Sequence, residues 1–279
     1  MSRYVRPHSL DEALRTLSSG GLSVLAGGTD FYPGRIAGGI AEDILDITAI
    51  EELRGVRETE QGFSIGALTT WSDIAAAKLP PQFDCLRLAA REVGGVQIQN
   101  AATVGGNLCN ASPAADGVPA LLALDAEVEI AHAHARRVLP LDRFIIGNRR
   151  TACAPGELVT AIRVPRWGDS ARSHFLKLGA RRYLVISIAM VAGIVESDAH
   201  GKIARCAFAV GSCSAVAQRL SALERFLIGG SLDRDLPERV RVEHLAALAP
   251  ITDVRGTTEY RADAALALVR RTLSVLAGE

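Results

Sequence analysis

Two glycine pairs constrain this chain more than any other feature: one in VLAGGTDF at 24–31, the other in TVGGNLCNASPAAD at 103–116. In each, adjacent glycines are followed by a small polar residue. Without Cβ atoms the backbone can turn tightly, accept positive φ and bring its N–H groups close to another molecule. A helix beginning just beyond such a segment adds partial positive charge, so an anion is favoured there. Ser112-Pro113 reads as an N-cap followed by proline at the first helical position, opening a helix through about Leu124. Two such segments could hold both phosphates of a dinucleotide, and two tight turns would use the glycines equally well.

The flanking segments are well punctuated. SLDEALRTLSSGG (9–21) predicts a helix with Ser9 as cap, Glu12 completing a capping box, and Leu10, Leu14 and Leu17 on one face. Gly20-Gly21 ends it, and LSVLAGG (22–28) reads as a short buried strand entering the first glycine turn. ILDI (44–47) and the alternating GFSIGAL (62–68) predict strands. Thr70 with Asp73 opens a helix through Ala77, and a helix over 83–93 ends at Gly94-Gly95, directly before the second glycine segment. AEVEIAH (126–132) and ELVTAIRVP (157–165) predict further strands, and the turn-rich WGDSARS places a domain boundary near 166–172. Beyond it HFLKLGA, LVISIAMVAGIVE and IARCAFAVGS are strand-like and precede two helices. The last spans Thr258 to about Leu276, with Leu266, Val269, Leu273 and Leu276 inward. This order is α+β, mixed and antiparallel in its second half, and not a regular βαβ alternation.

Composition narrows the functional classes. Lys plus Arg and Asp plus Glu are 31 each, a balance that argues against general nucleic-acid binding. The N-terminal MSRYVRPHSLDEAL lacks an apolar core of signal-peptide length, and the longest apolar run, LVISIAMVAGIV (184–195), is too short to span a bilayer. A cytoplasmic protein that binds no membrane is therefore expected. The five cysteines include no CxxC pair, so neither a disulfide framework nor a metal cluster is expected. Residues 131–182 hold eleven Lys or Arg against three Asp or Glu, a net of +8, and form either a solvated basic surface or a flank for an acidic partner.

Several familiar chemistries are missing. No GxGxxG follows a strand and no GxxxxGK[ST] occurs, so neither the Rossmann nor the P-loop pattern is present. His132 and His134 have no carboxylate or thiol at ligand spacing, and GSCSA (211–215) is not a nucleophile elbow. No side chain is assigned a catalytic role, and no metal ligand is expected.

LAGGTD (25–30), TVGGN (103–107), ASPAAD (111–116), KLGARR (177–182) and DVRGTTEYR (253–261) stand in the order found in one family. The chain resembles, over essentially its whole length, the FAD-binding (medium) subunit of the molybdenum hydroxylases, of xanthine dehydrogenase and carbon monoxide dehydrogenase type. The resemblance implies a two-part FAD-binding α/β region like that of the vanillyl-alcohol-oxidase flavoproteins. Its pieces would cover about 1–55 and 56–170. A C-terminal domain over 171–279 would follow, with a three-stranded antiparallel sheet and helices.

By the same resemblance, Leu25, Ala26, Gly27, Gly28, Thr29, Asp30 and Phe31 would line the phosphates and flavin of FAD. Thr103, Val104, Gly105, Gly106 and Asn107 would form a second clamp. Asp116 would hydrogen-bond the cofactor, Val159 would lie beside the nucleotide, and Lys177 near the flavin ring. Phe31-Tyr32 departs from the small or aliphatic residues expected there, and Tyr183-Leu184-Val185 replaces the acidic residues that follow RR in xanthine dehydrogenases.

The implied function is electron transfer. Electrons would come from 2Fe-2S clusters of an iron–sulfur subunit, which receives them from a large molybdopterin subunit, and would leave through FAD to an external acceptor. The assembly would be a heterotrimer. Two other readings stand beside this one: a free-standing FAD-dependent oxidase or dehydrogenase, and a non-enzymatic nucleotide-binding assembly protein.

Overall fold

The computed structural model describes residues 2–35 and 42–278. Three sheets carry the fold. The N-terminal piece holds β1 (Tyr4–Val5), β2 (Leu22–Leu25) and β3 (Asp43–Asp46), all parallel in the order β1-β3-β2. The helix Leu10–Leu17 lies between β1 and β2 in sequence and buries Leu10, Ala13, Leu14 and Leu17. Ser9 caps it by accepting from Glu12 N at 3.3 Å. The expected capping box does not close, because the Glu12 carboxylate accepts from His8 N at 3.1 Å and not from Ser9 N.

The middle piece contributes β4 (Val56–Thr59), β5 (Gly62–Gly66), β6 (Glu127–His132), β7 (Ala135–Pro140), a small ribbon of β8 (Ile145–Gly147) and β9 (Arg150–Thr151), and β10 (Leu158–Pro165). Apart from the ribbon these strands form one antiparallel sheet, β4-β5-β10-β6-β7. The β10–β6 register shifts between Val159 and Ala161, leaving Thr160 free to donate from its hydroxyl to the Glu129 carboxylate at 2.7 Å.

Burial alone would raise the Glu129 pKa, but the hydrogen bonds from Thr160 and Arg163 outweigh it and hold the carboxyl below its ordinary value. A depressed carboxylate contributes stability above its unfolded pKa and loses it as pH falls through the folded one. Glu129→Gln should therefore lower the melting temperature at neutral pH by a few degrees and flatten its fall under acid conditions. Melting curves over a pH series check this.

Helices pack between this sheet and the next. Thr70 opens Trp71–Ala76 with a full capping box to Asp73, as the sequence predicts. Asp84–Glu92 follows, but a short helix, Val96–Ala101, then separates Gly94-Gly95 from the second glycine segment. That segment is itself helical: Thr103 caps Val104–Asn110, so Gly105 and Gly106 occupy its first turn and do not form a loop before it. The expected helix from Ser112 also differs. Residues 112–116 form turns, and the helix spans Gly117–Ala123 with Asp116 at its N-cap position. Pro113 instead offers its carbonyl to Ser212 N at 3.0 Å, tying this turn to the C-terminal sheet.

The C-terminal piece has long antiparallel strands β11 (Arg172–Leu178), β12 (Ala189–Ser197) and β13 (Ile203–Gly211), extended by the two-residue β14 (Gln218–Arg219). The final helix, Thr258–Leu276, packs on β12 and β11, with Val269, Leu273 and Leu276 buried and Leu266 half-buried as predicted. The DVRGTTEYR stretch ends in a buried guanidinium. Arg261 donates to the carbonyls of Ile188 (2.7 Å) and Ser212 (2.8 Å) and pairs with Asp253 at 2.6 Å.

Much of the positive excess at 131–182 is answered locally. Arg137 pairs with Glu157, Arg136 and Arg163 with Glu129, and Arg166 with Glu58. No described helix is long and apolar enough to cross a membrane.

Candidate functional site

A cavity of about 790 Å3 opens between the first glycine segment, the helix Val104–Asn110, the β8–β9 ribbon and the start of β10. This volume suits a ligand of cofactor size. The structure brings most of the expected site residues to its wall: Ala26, Gly27, Gly28, Thr29, Asp30 and Phe31 from one side, Thr103, Gly105, Gly106 and Asn107 from the other, and Val159 at one end. Leu25 and Val104 do not line it; both are buried, flanking the two segments.

The two glycine segments do different work. After β2, the chain runs through Gly28 at φ +72° into a turn closed by Tyr32 N donating to Gly28 O at 3.2 Å. Among the described residues, none of the N–H groups from Gly27 to Phe31 donates a hydrogen bond. A run of unused donors beside a cavity is an anion-binding concavity. In the second segment every early N–H is already engaged: Val104 with Thr69 O, Gly105 with Ala67 O, Gly106 with Thr103 Oγ1 and Asn107 with Thr103 O, all at 2.9–3.0 Å. Gly105 serves close packing. A Cβ on Gly105 would stand 2.8 Å from both Cβ and O of Ala67. Neither Gly105 nor Gly106 has a positive φ. What this helix offers the cavity is a bare surface and the buried Asn107 Oδ1, which has no hydrogen-bond partner. A buried amide oxygen without a partner is rare enough to need an explanation, and a ligand hydroxyl or N–H would supply one.

Asp116 and Lys177 lie outside the cavity lining and pair with each other. Lys177 Nζ donates to Asp116 Oδ2 at 2.8 Å and to Glu92 O at 3.0 Å, and Ser187 Oγ donates to Asp116 Oδ1. Burial pushes the Asp116 carboxyl up, while the charge and hydrogen bond of Lys177 and the Ser187 hydroxyl pull it back. The pair joins the middle piece to β11 and to the segment entering β12. The family resemblance implies a place for both at the cofactor; in the structure they hold each other beside the cavity.

The wall also contains residues that sequence reading missed. Val93, Ile98 and Ile186 add apolar side chains to the lining. Phe31 is covered on one face by the Arg35 guanidinium, 3.7 Å from its ring centroid. Arg149 Nη1 donates to Asp30 Oδ2 (3.0 Å) and Asn110 Oδ1 (2.9 Å). Cys109 and Cys153 also line the cavity; Cys109 is exposed, while desolvation of the half-buried Cys153 pushes its thiol up to about 11. Thiols held neutral are poor nucleophiles. Any flavin here should be released in full by acid precipitation, a result that absorbance of the supernatant would check. His132 and His134 have ring centroids 5.9 Å apart, and no cluster of metal-ligating side chains occurs among the described residues.

Open backbone donors, an unpartnered amide oxygen and apolar side chains together fit a dinucleotide with a flat ring, as FAD is. Comparison with known proteins agrees. Residues 1–167 match the family described as FAD binding domain in molybdopterin dehydrogenase, and 174–276 the CO dehydrogenase flavoprotein C-terminal domain. The 6-hydroxypseudooxynicotine dehydrogenase complex subunit alpha of Paenarthrobacter nicotinovorans is 30% identical, over 97% of this chain and 93% of its own. The carbon monoxide dehydrogenase medium chain of Afipia carboxidovorans is 30% identical over 96% and 94%. The solved CO dehydrogenase from Oligotropha carboxidovorans superposes with a TM-score of 0.90 at 27% identity, covering 99% of this chain and 98% of that one. This chain belongs to the FAD-binding medium subunits of the molybdenum hydroxylases, oxidoreductase complexes whose iron–sulfur and molybdopterin groups lie on other subunits.

Proposed function

We propose that the cavity holds one non-covalent FAD and that the chain divides near residue 170 into the FAD-binding region and the C-terminal domain. The observation that carries this reading is the row of N–H groups at Gly27–Phe31 that find no acceptor among the described residues, in a cavity that the unpartnered Asn107 Oδ1 and several apolar side chains also line. Gly27–Phe31 would hold the diphosphate, and Gly106 would let the cofactor lie against bare helix. Val159 and Cys153 would border the adenosine, and Val93, Ile98 and Ile186 the flavin ring. Asp116 and Lys177 would act at one remove, by fixing the C-terminal domain against the cavity.

FAD supplies the redox chemistry; the chain's residues bind it, orient it and keep water from it. The protein works in the cytoplasm, as the receiving and delivering member of a complex with an iron–sulfur and a molybdopterin subunit. Among the described residues the cavity wall holds no His, and its two carboxylates are paired with arginines: Glu157 bidentately with Arg137 at 2.6 and 2.7 Å, and Asp30 through Oδ2 with Arg149 at 3.0 Å. This favours electron transfer over a free-standing oxidase.

Titrating the deflavinated complex with FAD should show one equivalent bound per copy of this chain. Gly106→Val tests the site: its Cβ would meet only Thr103 Oγ1, at 2.8 Å, while the remaining bulk enters the cavity. Flavin occupancy should fall severely, while the flavin-free protein should lose only the modest stability that displacing the Thr103 cap costs. Full occupancy in that variant would mean that the helix Val104–Asn110 does not border the cofactor.

A further inference from the structure

Arg149 stands in the turn between β8 and β9 with φ +53°, a left-handed conformation that non-glycine residues adopt only where the surroundings impose it. Its own N–H donates to the carbonyl of Ala111 at 3.0 Å. Ala111 ends the helix Val104–Asn110 and is itself left-handed, at φ +46°. The ribbon is thus pinned to the C-terminal end of the helix that forms one cavity wall. There Nη1 bridges Asn110 Oδ1 at the end of the same helix and Asp30 Oδ2 of the glycine loop on the opposite wall.

The charge arithmetic of the cavity singles this residue out. Its charged lining residues are Asp30, Arg35, Arg149 and Glu157. Arg137 holds Glu157. Arg35 is committed to Glu42, to the Phe31 carbonyl and to the face of the Phe31 ring. Arg149 uses only Nη1, and its Nε and Nη2 have no partner among the described residues. These two groups form the edge of the guanidinium fork that matches two oxygens of one phosphate. Asp30, meanwhile, belongs to the cavity-lining loop whose N–H groups from Gly27 to Phe31 have no acceptor among the described residues. A diphosphate there would meet a carboxylate unless a cation stood beside it.

Resting on the reading of the cavity as an FAD site, we propose that Arg149 is a diphosphate ligand: it straps the glycine loop to the opposite helix through Asp30 and Asn110 and presents Nε and Nη2 to a phosphate of the dinucleotide. The backbone N–H groups of Gly27–Phe31 grip the diphosphate from one side, and Arg149 supplies the positive charge from the other. The ligand class follows from the chemistry, a dinucleotide or nucleoside diphosphate and not an uncharged flavin.

The test uses the deflavinated complex, with FAD binding followed by quenching of flavin fluorescence and ADP as a competing probe. A charge-assisted hydrogen-bonded contact is worth about tenfold or more in affinity. Arg149→Gln should weaken FAD and ADP by at least that factor and make binding less sensitive to salt. Arg149→Lys, which keeps the charge and loses the fork, should recover only part of the loss. The double variant Arg149→Gln/Asp30→Asn separates two roles. If Arg149 binds phosphate, removing the Asp30 charge leaves FAD weakly held. If it merely neutralises Asp30, the double variant regains wild-type affinity and the proposal is overturned. Unchanged affinity in Arg149→Gln would overturn it too, while wild-type binding left the FAD site standing. No uptake of FAD by the wild type would overturn both.

Discussion

Gly27→Ala is expected to strip the protein of flavin and to lower its melting temperature. An added Cβ would stand 1.9 Å from Ala101 O, 2.7 Å from Ala101 C and 3.0 Å from Ala102 Cα. All three are backbone atoms and cannot swing away as a side chain would. The backbone there is fixed at both ends: Ala102 N donates to Ile98 O at 2.7 Å, and Ala102 O accepts from Trp71 N at 3.2 Å. The glycine loop must therefore move outward, carrying its row of N–H donors away from the cavity. Overpacking of this kind costs about 1–3 kcal/mol, or roughly 2–12 °C in melting temperature for a chain of this size. Flavin absorbance per protein and thermal melting measure the two effects. Gly106→Val gives the contrast, losing flavin with a smaller loss of stability because only the Thr103 hydroxyl must give way.

Asp116→Ala should be the more destabilising change. The Asp116–Lys177 pair is buried on both sides, with side-chain exposures of 9% and 6%. Removing the carboxylate leaves an ammonium in a dry site with only the Glu92 carbonyl, and breaking such a pair costs about 3–5 kcal/mol. A fall in melting temperature of roughly 10 °C or more follows. Asp116→Asn should cost less. Burial is the largest influence on Asp116 and acts against its charge, so a neutral side chain of the same shape gives up less than the truncated one. Lys177→Met combined with Asp116→Ala should recover much of the loss, because no unpaired charge remains. If Asp116→Ala kept the wild-type melting temperature, the buried pair would not be joining the two halves of the protein. The family resemblance implies a cofactor contact for Asp116; in the structure both its carboxylate oxygens are engaged by Lys177 and Ser187.

Legibility in the sequence followed how local the cause was. Short-range chemistry was readable: Thr70 with Asp73 fixes the start of one helix, and the spacing of Val269, Leu273 and Leu276 fixes the inward face of the last. The antiparallel strands of the second half were legible as long apolar runs. The glycine pairs were legible as places of close approach, but what approaches was not. At Gly27 it is the backbone of Ala101, at Gly105 that of Ala67, and both contacts join residues far apart in the chain. The helix expected from Ser112 failed for a similar reason, since Pro113 answers to Ser212 in another sheet. Arg149 carried no signal at all. In GNRRT it is one arginine of two, and only the turn between β8 and β9 aims it at Asp30.

The most direct test of the central claim, that this chain relays electrons through FAD without oxidising substrate itself, is anaerobic bleaching of the flavin visible band. It should be followed both in the isolated flavin-loaded chain and in its complex, against aldehydes, purines and N-heteroaromatics. The complex should bleach with its substrate, and the isolated chain should keep its flavin oxidised with every compound. Rapid bleaching of the isolated chain by any of them would contradict this account and make the protein an oxidoreductase in its own right.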